Sequence, residues 1–175
     1  MRHLTKIFGA IVLLTLLSCS SSADRRFEFS YTTDFMVNEF EIFEGVPATL
    51  ANINFGDALN EKLKSEGTSL EKLHDVKLSK VIISINDSLI TFADLNNFKL
   101  EAVGKGEKAT MRTIGNINDA DQSLKTVELL VTGEDLIHYL KDSGLLFVVS
   151  GEGKRDIEDA FGMKIEMTFD IGVKN

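Results

Sequence analysis

Between Met163 and Val173, six apolar residues (Met163, Ile165, Met167, Phe169, Ile171 and Val173) alternate without a break with Lys164, Glu166, Thr168, Asp170 and Gly172. A period of two puts the two sets on opposite faces of an extended chain, so the segment reads as a long strand with one dry and one wet face. The dry face needs a second layer to cover it. That layer has to come from the rest of the sequence.

Further strand patterns precede it. Phe27, Phe29 and Tyr31 alternate with Glu28, Ser30 and Thr32, and Phe35 to Phe43 reads as a second, less regular strand. Gly45 and the single proline, Pro47, mark a turn or an edge position before a short strand over Leu50 to Asn54. Val81, Ile82, Ile83 and Ile85 form a β-branched run that Asn86-Asp87 closes. Phe98, Leu100 and Ala102 on one side of Gly104-Lys105-Gly106-Glu107, and Ala109, Met111 and Thr113 on the other, read as a hairpin. Val127, Leu129 and Val131 alternate again, and Leu145 to Val149 is an apolar strand expected at the centre of a sheet.

Two segments change period. Phe55, Leu59 and Leu63 recur every four residues, which predicts a helix from about Asp57 to Ser65 ended by Gly67, with Thr68 to His74 adding a further helical turn. Thr132 reads as an N-cap with Asp135 three residues on, Leu136, Ile137 and Leu140 as the apolar stripe and Gly144 as the stop. Many short strands with two short amphipathic helices predict a mainly β fold: an antiparallel β-sandwich or a strongly curled sheet, with the helices covering an end or an edge.

The first nineteen residues follow different rules. Arg2, His3 and Lys6 precede an apolar run, Ile7 to Leu17, that is shorter than the roughly 20 residues a membrane span needs and matches the h-region of a secretory signal. Leu16-Leu17-Ser18-Cys19 resembles the lipobox of bacterial lipoproteins. The resemblance implies cleavage before Cys19, acylation of that cysteine and a lipid anchor, with residues 1–18 as signal peptide, 19–25 as lipidated tether and 26–175 as one β-rich domain. Cys19 is the only cysteine, so the exported domain has no internal disulfide. Several acyl chains at about 0.8 kcal/mol per buried CH₂ hold a protein stably, where one chain is marginal. The order of elements from Val76 onward also resembles small Bacteroidetes-type lipoproteins with a β-sandwich domain, which implies an outer-membrane location on the periplasmic face or the cell surface.

Removing the 18-residue leader from 175 residues leaves 157, enough to bury a core without staples. Without Arg2 and Lys6 the 19 basic residues become 17 against 27 acidic ones, a formal −10. That sign argues against nucleic acid as a partner and against lying on an anionic bilayer.

Motifs that carry chemistry are scarce. Gly104-Lys105-Gly106-Glu107-Lys108-Ala109 has the letters of a dinucleotide-binding turn, but strand-like sequence follows where a helix is required. Gly151-Glu152-Gly153-Lys154 lacks the spacing of a P-loop and reads as a loop. His74 and His138 stand in no ligand-spaced motif, so no zinc site is expected. Asn116, Asn118, Asp119 and Asp121 gather oxygen ligands of the kind calcium prefers, without the glycine and glutamate of an EF-hand. Asp156, Glu158 and Asp159 read as a solvated acidic surface, and no nucleophile elbow is present. No cofactor is expected.

Three functions are open to such a chain. The favoured one is a non-catalytic binding or interaction module held to the envelope through Cys19, with an envelope protein as a partner. The second is a carrier of a lipid or other apolar ligand, lined by its Phe and Met residues. The third is a glycan-acting hydrolase. An apolar cavity open at one end favours the carrier and a filled core favours the module.

Overall fold

A computed structural model of the chain describes residues 24–38, 42–87, 89–104, 111–117, 125–142 and 144–174. The strands are β1 (Arg25–Val37), β2 (Pro47–Ile53), β3 (Leu73–Ile85), β4 (Leu95–Gly104), β5 (Met111–Asn116), β6 (Thr126–Glu128), β7 (Leu130–Val131), β8 (Leu145–Gly153) and β9 (Phe161–Val173). Helix α1 is Gly56–Ser65 and helix α2 is Ile137–Asp142. The strands form two antiparallel sheets, a four-stranded one in the order β1-β9-β3-β6 and a five-stranded one in the order β2-β8-β4-β5-β7. The fold is the antiparallel sandwich that the alternating patterns predict.

The long C-terminal strand is where the pattern places it. β9 lies between β1 and β3, and Met163, Ile165, Met167, Phe169 and Ile171 are all at most 1% exposed while Lys164, Glu166, Thr168 and Asp170 are half-buried. Leu145 to Val149 belongs to β8, which is flanked by β2 and β4 and so is an interior strand, next to the central β4.

Four elements differ from the sequence reading. β1 runs unbroken to Val37, in register with β9 from Arg25↔Val173 to Val37↔Phe161, where two strands were expected. Phe40, assigned to the second of those strands, lies outside the described residues. The expected helical turn over Thr68 to His74 shrinks to a 3₁₀ turn, Leu70–Lys72, and β3 begins at Leu73. The segment Val127 to Val131 is two strands: β6 pairs with β3 in one sheet and β7 with β5 in the other. The Leu129 N–H donates to the Val81 carbonyl at 3.0 Å where the chain crosses, closing one side of the sandwich.

The fourth difference is the second helix, which starts at Ile137 and not beside Thr132. Gly133 adopts φ 69° and Asp135 bridges to Lys77, which keeps the chain extended to that point. Asp135 then supplies the cap, its Oδ1 accepting from the Ile137 N–H and from the Val76 N–H of β3, both at 3.0 Å. Helix α1 is as predicted. Its C-terminus is a Schellman closure, with Gly67 at φ 66°, Gly67 N–H to the Lys64 carbonyl at 3.0 Å and Thr68 N–H to the Leu63 carbonyl at 2.9 Å. Its buried stripe, Leu59 and Leu63, faces the core next to the start of β1.

The space between the sheets is filled with aromatic rings. Phe55, Phe147 and Phe169 are at most 1% exposed, and their ring centroids lie 5.0 to 5.9 Å apart, Phe55 and Phe169 being parallel to within 3°. Phe29 joins the cluster at 5.8 Å from Phe169. No helix among the described residues is long and apolar enough to cross a membrane.

Candidate functional site

A concavity of about 560 Å³ opens over β4, β5 and β8 of the five-stranded sheet. A bulge in β4 makes it. Asn96 pairs with Glu152 and Lys99 with Ser150, so β4 spends one residue more than β8 over this stretch. The extra residue is absorbed at Asn97, which sits in the left-handed region at φ 48°, a conformation that asparagine tolerates better than most side chains. The bulge turns Phe98 inward, 4% exposed and edge-on to Phe92 at 5.2 Å, and leaves Asn97 exposed at the rim.

Phe92 is fixed by the 3₁₀ turn Phe92–Asp94. Thr91 and Asp94 form a reciprocal capping box, with the Thr91 N–H donating to Asp94 Oδ2 at 2.9 Å and the Ala93 N–H to Thr91 Oγ1 at 3.2 Å. Arg155 Nε donates to Asp94 Oδ1 at 3.0 Å. Burial alone would raise the Asp94 pKa, but the Thr91 N–H and Arg155 together outweigh it and hold the carboxyl below its ordinary value. A depressed carboxyl contributes stability above the unfolded-state pKa, near 3.9 for aspartate, and loses it as pH falls through the folded value. Asp94→Ala is therefore expected to cost about 0.5–2 kcal/mol at pH 7, the range for losing a capping interaction. Urea midpoints should show the gap between variant and parent narrowing as the pH is lowered below about 3.9.

Behind the rim, one charged pair is built into the wall. Glu101 is 6% exposed, and its oxygens accept from Lys99 Nζ at 2.8 Å and from Ser150 Oγ at 3.2 Å. Lys99 and Ser150 line the concavity, which leaves the buried carboxylate fully partnered. The side chains of Asn97, Thr113, Asn116 and Glu152 also line it, and none of them has a partner among the described residues.

Backbone strain at Asn97 gives a direct test of the bulge. Asn97→Ala is expected to cost roughly 1 kcal/mol, because alanine gains nothing in the left-handed region, while Asn97→Gly should match or slightly exceed the parent. Thermal melts of the three proteins check the order.

Of the calcium candidates, Asn116 ends β5, opposite Lys99, and lines the concavity, whereas Asn118, Asp119 and Asp121 lie outside the described residues. No group of three or more His, Cys, Asp or Glu among the described residues could hold a metal. His74 Nε2 is 3.7 Å from Asp24 and its Nδ1 3.6 Å from Asp75; His138 lies against the Tyr139 ring at 3.9 Å. Asp156 accepts from the Glu44 N–H at 2.9 Å, and Glu158 and Asp159 are exposed. Gly151 and Gly153, read as a loop, are instead strand residues of β8 paired with β2 and β4. Gly104 closes β4, β5 pairs back on it as a hairpin requires, and residues 105–110 and Cys19 lie outside the described residues.

A second concavity, about 550 Å³, lies at the end of the sandwich where β1 finishes, and includes Asp34, Met36, Asp87 and Gly162. Its polar groups are largely spent on the fold: Asp87 Oδ1 accepts from the Leu89 and Ile90 N–H groups at 2.6 and 3.0 Å, and its carbonyl takes Lys125 Nζ. The first concavity is the better candidate because Asn97, Thr113, Asn116 and Glu152 in its lining have no partner among the described residues.

The chain matches no family model and no curated protein. Among solved structures, a chain of Desmodium yellow mottle tymovirus is 7% identical over 86% of this chain and 90% of its own, with a TM-score of 0.31. A chain of turnip yellow mosaic virus is 11% identical over 85% and 96%, with a TM-score of 0.24. At these scores neither likeness carries an argument about fold or function.

Proposed function

We propose that this chain is a lipid-anchored, non-catalytic binding module of the bacterial cell envelope, tethered through Cys19 and recognising its partner at the polar concavity of the five-stranded sheet. The observation that carries the reading is the contrast between two spaces. The inter-sheet volume is occupied by Phe55, Phe147 and Phe169, while the concavity outside it presents the amides of Asn97 and Asn116 and the Thr113 hydroxyl, which have no partner among the described residues. A carrier needs the reverse arrangement, an open apolar interior.

The anchor rests on the lipobox-like Leu16-Leu17-Ser18-Cys19 and on the lone cysteine. Envelope fractionation of the full chain tests it. The parent is expected to sediment with membranes, and Cys19→Ala to be released into the soluble fraction or retained as an uncleaved precursor lacking acyl chains. A Cys19→Ala protein with the parent's mass and membrane distribution would overturn the anchor.

A further inference from the structure

We propose that the concavity over β4, β5 and β8 binds a neutral saccharide; the inference rests on the recognition surface assigned above. Four observations select this ligand class. First, the cation at the site is committed: Lys99 Nζ holds Glu101 Oε1 at 2.8 Å, and the other Glu101 oxygen is held by Ser150 at 3.2 Å. A phosphate or sulfate finds no uncommitted cation among the lining side chains.

Second, the lining groups without a partner among the described residues supply donors and acceptors together. Asn97 and Asn116 each offer an amide NH₂ and a carbonyl oxygen, Thr113 a hydroxyl and Glu152 a carboxylate acceptor. A ligand dense in hydroxyl groups, each at once donor and acceptor, satisfies that mixture without carrying charge. Third, exposed Pro47 and half-buried Ile117 add apolar lining of the kind that the C–H faces of a sugar ring cover. The volume of about 560 Å³ falls within the usual range for small-molecule sites.

Fourth, the backbone here is already used. β4 and β8 are interior strands, paired on both sides with β5, each other and β2, so an extended peptide cannot add to them as a further strand. An added strand is thereby excluded, and the side chains named above carry the recognition.

Calorimetric titration of the detergent-solubilised full chain tests the assignment, with neutral tetrasaccharides of glucose, mannose and N-acetylglucosamine and a sulfated tetrasaccharide as counter-probe. At least one neutral probe is expected to bind, and Asn97→Gly and Asn116→Ala are each expected to weaken it by roughly tenfold, the loss of one or two hydrogen bonds. Melting temperatures close to the parent's show that both variants are folded, and Lys80→Ala on the opposite sheet should bind as the parent does. Failure of every neutral probe well into the millimolar range, tighter binding of the sulfated probe, or affinity that neither asparagine variant alters would overturn the saccharide assignment. None of these outcomes touches the anchor or the filled core, which are tested separately by fractionation and by lipid extraction.

Discussion

Phe55→Ala is expected to lose about 3–5 kcal/mol of unfolding free energy, the cost of emptying a large aromatic site that cannot collapse. Phe55 is 1% exposed and its ring lies 5.0 Å from Phe169, 5.1 Å from Phe147 and 6.3 Å from Phe29. It therefore bridges the strand β9 of one sheet and β8 of the other at the point where α1 begins. Domains of this size have about 5–15 kcal/mol in total, so the variant should sit close to the unfolding threshold. Phe27→Ala, at a half-buried ring on the same strand face as Phe29, should cost much less. Urea denaturation followed by circular dichroism reads both. A loss for Phe55→Ala no greater than that for Phe27→Ala would mean that the rings do not join the sheets.

Gly153→Ala is the second large effect. A Cβ there would stand 2.4 Å from the Arg155 carbonyl oxygen, 2.8 Å from Ile42 Cγ2 and 3.2 Å from the Phe43 carbonyl oxygen. Two of the three neighbours are backbone, and the Gly153 carbonyl itself accepts from the Gly45 N–H at 3.0 Å. Relief requires moving the chain on both sides of β8, at a cost of about 3 kcal/mol, the upper part of the range for overpacking. Glycines nearby grade the effect. Gly172→Ala meets the side chains of His74 and Asp75, which can rotate away, and Gly151→Ala meets Phe98 at an ordinary 3.4 Å. Urea midpoints should fall in the order Gly151→Ala, Gly172→Ala, Gly153→Ala from mildest to most severe.

Much of the sandwich is legible in the sequence because burial on one face forces a period of two. Met163 to Val173 shows this fully, and α1 is equally plain in the spacing of Phe55, Leu59 and Leu63 with Gly67 after it. β1 was split in two by a single polar residue: Thr33 interrupts the series Phe29, Tyr31, Phe35 and Val37, although all of them share one face of a continuous strand. Thr132 resembles a helix cap, but Gly133 and the bridge from Asp135 to Lys77 delay the helix, a tertiary contact that no local pattern encodes.

The candidate site was almost invisible for a similar reason. Asn97 has no glycine beside it to announce a bulge, and the residues around it come from β4, β5 and β8, far apart along the chain. By sequence Asn116 reads as an oxygen ligand in a polar loop; pairing with Lys99 places it at the concavity. Only Asn-Asn at 96 and 97 offered a sign, since asparagine is enriched in left-handed backbone.

Organic extraction of the full chain purified from native envelopes, followed by mass spectrometry of the lipid phase and of the protein, tests most directly whether this is a binding module with a filled core. The expected result is a protein carrying acyl chains on Cys19 and no stoichiometric non-covalent lipid. Recovery of one lipid molecule per chain, lost in a variant that blocks the interior, would contradict it and establish the carrier.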